Sequence, residues 1–70
     1  MKLQRKIFEA YGDDPVSALS ESFINVLNYC EVAEPASVSV EDIQAQWITY
    51  RGSFGSLRLG MASVCVQIEL

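Results

Sequence analysis

The sequence predicts a small α+β domain in which helices come first and a small antiparallel sheet comes last. Two patterns support this prediction. The pair Asp14-Pro15 opens a segment whose apolar residues recur at helical spacing. Residues 64–70 alternate apolar and polar side chains, as a half-buried strand does. Because the chain has 70 residues, we expect residues 1–70 to form a single small domain.

A first short helix is predicted over residues 3–11. Leu3, Ile7 and Tyr11 recur every fourth residue, which would place them on one side of a helix. Gly12 follows at the position where a helix often ends in a left-handed glycine.

The second helix is predicted over residues 15–31. Asp14 is suited to cap its first turn, and proline is favoured at the first helical position. At 100° per residue its apolar side chains form one stripe wide enough to cover a core. The residues of this stripe are Val16, Leu19, Phe23, Val26, Leu27 and Cys30.

Residues 40–50 allow two interpretations, of which the helix is favoured. Ile43, Trp47 and Tyr50 would share one side of a helix, whereas the run 46–51 is rich in aromatic and β-branched residues, as strands are. Residues 53–70 are then predicted to form a β-hairpin. Its turn is placed at Gly60-Met61, so that residues 56–59 pair with the terminal strand.

The composition argues against an enzyme. The chain contains no histidine, the commonest general base, and its two cysteines, Cys30 and Cys65, are too few and too far apart for a zinc site. The glycine-rich run 52–56 lacks the lysine of a phosphate-binding loop and is interpreted as a turn. We therefore assign no catalytic residue, no cofactor and no metal. Both cysteines are expected to be reduced, apolar side chains.

Charge is segregated along the chain. Seven carboxylates and no cation lie between residues 13 and 42, and the net charge is −4. Four of the seven, namely Asp13, Asp14, Glu41 and Asp42, are interpreted as charges at helix starts. An acidic chain does not suit the phosphates of nucleic acid, so a nucleic-acid partner is disfavoured. No secretory signal or membrane-spanning run is recognised, and a cytoplasmic location is expected.

These features favour a small, acidic, non-enzymatic regulatory or adaptor protein that binds another protein. The partner could have a basic surface. We also expect the chain to form a homo-oligomer such as a homodimer. An inhibitor from a phage or mobile element would fit this size and acidity. The candidate partner-binding residues are Glu21, Ile24, Asn28, Glu31 and Trp47. One alternative is a DNA-binding regulator resembling a helix-turn-helix, and another is a structural subunit assembled through its C-terminal strand.

Overall fold

One helix packs on one side of a three-stranded antiparallel sheet. The computed structural model describes residues 2–70, with β1 at Leu3–Gly12, α1 at Pro15–Ala33, β2 at Ser37–Gly52 and β3 at Gly55–Glu69. The strand order is β1-β3-β2, so the last strand is the central one. The predicted α+β class and antiparallel sheet are confirmed, whereas the predicted set of two or three N-terminal helices is wrong.

The helix α1 begins where the sequence predicted. Asp14 has extended backbone, and its carboxylate accepts a hydrogen bond of 2.8 Å from the backbone N–H of Ser17. At the other end Glu34 adopts a left-handed conformation with φ 48°, and its N–H donates to the carbonyl of Cys30. These two caps satisfy backbone groups that a helix leaves without partners at its ends.

Residues 3–11, predicted as a helix, belong to the strand β1. The spacing of Leu3, Ile7 and Tyr11 fits a strand equally well, because every second residue of a strand lies on the same side. The three side chains are exposed on the side of the sheet that faces away from α1. Their neighbours Phe8 and Ala10 face α1 instead.

Residues 40–50, favoured as a helix, lie within β2. A β-bulge shifts the register between Val40 and Asp42, so that Glu41 is an extra residue in the pairing with β3. The bulge moves the apolar positions from even to odd numbers, since Val38 and Val40 share a side with Ile43 and Trp47. Because the bulge interrupts the period-two alternation of the strand, the spacing of its apolar residues resembles that of a helix.

The hairpin is longer than predicted and turns elsewhere. It joins β2 to β3 through Ser53 and Phe54, and β3 runs without a break through the predicted turn at Gly60-Met61. Gly60 pairs with Gly12 on one side and with Trp47 on the other. A side chain at Gly60 would collide with the backbone of Asp14, so the glycine permits a close crossing rather than a turn.

The core between α1 and the sheet is built largely from small residues. Ala18 and Ser22 of α1 are fully buried, and so is Ala62 opposite them. The hydroxyl of Ser22 donates to the carbonyl of Ala62 at 3.3 Å. Larger side chains fill the other end of the core, where Val26 packs with Val64, Val66 and Ile68. The helix therefore approaches the sheet closely at its N-terminal end.

The distal part of the hairpin extends beyond the rest of the molecule. Pairing of β1 with β3 stops at Gly60, so residues 48–59 form a two-stranded extension, called here the arm. The molecule measures 50 × 19 × 18 Å, and its radius of gyration of 14.5 Å exceeds the value of about 11 Å expected for this length. No helix within residues 2–70 has the length and apolarity needed to cross a membrane.

Candidate protein-binding surface

The sheet covers most, but not all, of the apolar stripe of α1. The stripe residues that pack in the core are Leu19, Phe23, Val26 and Cys30. The fully or nearly buried positions are Ala18, Ser22 and Val26, spaced by four residues. Val16 and Leu27, both placed in the predicted stripe, are 74% and 62% exposed. The predicted stripe is therefore only partly used by the core, and its other edge is left without a cover.

Contacts with β1 show which way this uncovered edge faces. The ring of Tyr29 lies 5.8 Å from the ring of Phe8, and the ammonium of Lys6 lies 4.9 Å from the centroid of Tyr29. At 100° per residue, Tyr29 lies on one side of the row of buried helix positions, and Val16 and Leu27 lie on the other side. The exposed edge of the stripe consequently faces β2.

Strand β2 presents apolar side chains on the same side of the sheet as α1. The helix lies mainly over β1 and β3, so these β2 residues remain between about one-third and one-half exposed. These residues and the exposed edge of α1 lie on the same side of the sheet, and this set is named here the α1–β2 face. It consists of Val16, Leu27, Val38, Val40, Ile43 and Trp47.

Trp47 stands at the end of this face, where the arm begins. It is 46% exposed, and the guanidinium carbon of Arg58 lies 4.1 Å from its ring centroid. A cation over an indole ring is an attractive arrangement that also restrains the ring. One side of Trp47 is thus covered within the chain, and a large part of the indole stays accessible to a partner.

The five predicted binding residues occupy two elements. Four of them are exposed on the outer side of α1, opposite its buried positions, and these are Glu21, Ile24, Asn28 and Glu31. Trp47 lies on β2. Sequence reasoning missed the β2 residues Val38, Val40 and Ile43. The signal that could have found them is the period-two alternation of β2, which the bulge at Glu41 obscures.

The opposite side of the sheet is polar at its centre. Arg5 of β1 reaches Glu41 of β2 through two hydrogen bonds of 3.2 and 3.0 Å. Glu41 and Asp42, expected at a helix start, therefore lie in a strand, and one of them has a cationic partner. Such an exposed ion pair contributes little to stability. A shallow depression of about 530 Å³ lies beside this pair and contains the thiol-bearing Cys65.

The cysteines and carboxylates do not form a metal site in residues 2–70. Cys30 packs against the core on the helix side, whereas Cys65 alternates with buried valines and faces the other side of the sheet. Both thiols are free. No group of three or more potential ligands converges within the described part of the chain.

Comparison with known proteins gives no relative from which a function could be transferred. No protein-family model, no curated protein and no solved structure matches the chain. The function is therefore argued from the chemistry of the α1–β2 face.

Proposed function

We propose that this chain is a small, non-enzymatic regulatory or adaptor protein that acts by binding another protein through the α1–β2 face. The supporting observation is that Val16 and Leu27 of α1 and four apolar residues of β2 stay exposed on the same side of the sheet. Single exposed apolar residues are ordinary, but several on two neighbouring elements are typical of an interaction site.

The surroundings of the face resemble the anatomy of a protein interface. Glu31 lies one helical turn from Leu27, at the border of the face, whereas Glu21 is exposed further round the outer side of α1. Trp47 is a suitable anchor, because tryptophan is enriched among residues that dominate binding energy. The acidic outer side of α1 would favour encounter with a basic partner surface.

The two alternatives depended on elements that have a different structure. A helix-turn-helix needs helices at residues 3–11 and 40–50, and both segments are strands. Assembly through the C-terminal strand needs a free strand edge, whereas β3 is paired on both sides. Protein binding through the α1–β2 face is therefore the better supported function.

Site-specific photo-crosslinking in the native host tests this proposal. A photoreactive residue at Val40 would project from the α1–β2 face, and the same residue at Ser39 would project from the opposite side of β2. We expect a protein adduct from the Val40 position and little from Ser39. Equal adducts of a different protein from both positions, or no adduct from Val40, would contradict the proposal.

A further inference from the structure

We propose that the partner of the α1–β2 face is a second copy of this chain, paired along β2 in an antiparallel, two-fold arrangement. This inference rests on the proposed function, because it names the partner of the same face. Three observations support a second copy: the free edge of β2, the apolar residues beside that edge, and the extent of uncovered surface. The distribution of charge along β2 favours one orientation of the pair.

The outer edge of β2 is long and poorly protected. The strand spans Ser37–Gly52, and only its β3 side is paired. Natural edge strands avoid pairing by being short or by carrying proline, lysine or bulges. Strand β2 contains no proline and no lysine, and its bulge leaves residues 42–52 regular. The other edge strand, β1, is shorter and carries Arg5 and Lys6.

Pairing of two β2 strands would cover the apolar residues beside the edge. A two-fold axis at β2 places the same surface of each copy against the other, as closed dimers require. Ile43 and Trp47 of one chain would then adjoin the equivalent column of the second chain. The helices of the two copies would flank this joined column, with Leu27 of each helix facing it.

The uncovered surface has the size that such a dimer needs. The chain exposes 4956 Å², about 600 Å² more than is usual for a folded monomer of 7.8 kDa. A stable interface removes about 800 Å² from each partner. The arm accounts for part of this excess, and an isolated two-stranded hairpin is only marginally stable in water. Pairing along β2 would support the arm on its open edge.

Charge favours the antiparallel orientation. The first part of β2 carries Glu41 and Asp42, whereas the arm carries Arg51 and Arg58 and no carboxylate. Antiparallel pairing brings the acidic end of each β2 next to the basic arm of the other copy. Parallel pairing would instead place like charges together. Asp42 pairs with Cys65 and Arg51 pairs with Ser56, so these two side chains lie on opposite sides of the sheet. Their attraction would therefore act between strand ends and not through a direct ion pair.

A matched pair of lysine substitutions tests the location of the interface. Ile43 and Ile7 are both exposed isoleucines on edge strands, at 47% and 64% exposure. We expect sedimentation equilibrium to show a dimer for the unmodified protein and for Ile7→Lys. Ile43→Lys should raise the dissociation constant about 100-fold, because the charge enters the joined column twice. Dimerisation that is unaffected by Ile43→Lys would overturn the inference.

Reciprocal charge reversal tests the orientation with variants that keep the strand intact. At low ionic strength Arg51→Glu and Asp42→Arg should each weaken the dimer about threefold, because these charges attract each other without direct contact, and the double variant should recover most of the loss. Circular dichroism of each variant verifies that it remains folded. Additive losses without recovery would contradict antiparallel pairing.

The outcomes separate this inference from the proposed function. A chain that stays monomeric at every concentration but gives an adduct with a different protein at Val40 would refute the second copy and retain protein binding. A Val40 adduct at twice the chain mass, lost in Ile43→Lys, would support the second copy, and an additional adduct with a different protein would support both. Absence of any Val40 adduct from a monomeric chain would refute both.

Discussion

The backbone of Asp14 crosses directly over Gly60, with no room between them for a side chain. Asp14 caps the start of α1, and Gly60 is the position at which β1 ceases to pair with β3. The crossing therefore fixes where the helix begins above the sheet. It also marks the point from which the arm continues as two strands.

Replacing Gly60 with alanine should destabilise the fold strongly. The new methyl group would overlap the backbone of Asp14 and Pro15, which cannot give way as a flexible side chain can. We expect a loss of about 3 kcal/mol in the free energy of unfolding, measured by urea denaturation. Gly52→Ala is the control, because a methyl group there meets no atom within 4 Å. Equal losses in the two variants would contradict the close crossing.

The Asp14 cap should make stability depend on pH in the acidic range. Hydrogen bonds from the backbone and the hydroxyl of Ser17 hold the pKa of Asp14 below its ordinary value of 3.8. A lowered carboxyl pKa stabilises the fold above pH 3.8, and this contribution is lost as the pH falls through the folded-state pKa. Asp14→Asn should keep a capping oxygen but lose this part of the pH dependence. Unfolding curves recorded from neutral pH downward should converge for the two proteins; parallel curves would show that Asp14 does not carry the effect.

Two neighbouring residues of α1 test which side of the helix is buried. Val26 is 7% exposed and packs in the core, whereas Leu27 is 62% exposed. Val26→Ala should cost about 2 kcal/mol in the free energy of unfolding, and Leu27→Ala less than about 0.5 kcal/mol. Both are measured on monomer at low protein concentration, so that a dimer contact of Leu27 does not contribute. A larger cost for Leu27 would place the apolar stripe, rather than the small residues, against the sheet.

The hydroxyl of Tyr11 should titrate above the usual range. The pKa of Tyr11 is raised from 10.0, first by the charge of Tyr50, then by desolvation and by the charge of Glu9. Because the folded state holds this proton more tightly, stability should fall as the pH rises from 10.0 through the folded-state pKa. Ultraviolet absorbance should detect one tyrosine that ionises above pH 10.0, here called the late component. Its midpoint should return toward pH 10.0 in Tyr50→Phe, and the component should be absent in Tyr11→Phe. An unchanged late component in Tyr50→Phe would exclude Tyr50 as its main cause.

The strand β1 illustrates why part of the fold could not be predicted. A spacing of four residues is shared by one side of a helix and one side of a strand, so Leu3, Ile7 and Tyr11 do not distinguish them. Pairing decides that this segment is a strand, because all of β1 pairs with one edge of β3. In β2 the bulge at Glu41 removed the one periodic signal that would have favoured a strand.

The sequence identified one residue of the α1–β2 face, but it did not predict how the residues of this face are arranged. Of the five residues predicted to bind a partner, Trp47 alone belongs to the α1–β2 face, and Ile24 is exposed on the outer side of α1. The β2 residues Val38, Val40 and Ile43 could not be recognised, because their exposure depends on α1 lying over β1 and β3 instead of over β2. No local pattern in the sequence encodes that displacement.

The sequence by itself determined the helix α1, with its start at Asp14 and Pro15, and the alternation of buried and exposed residues near the C-terminus. These are local features, since capping and periodicity depend on residues a few positions apart. The tertiary structure alone decided that β3 is central, and that small residues form the contact with the sheet near the start of α1. Helix and sheet approach most closely where Ala18, Ser22 and Ala62 meet, and that contact leaves Val16 and Leu27 outside the core.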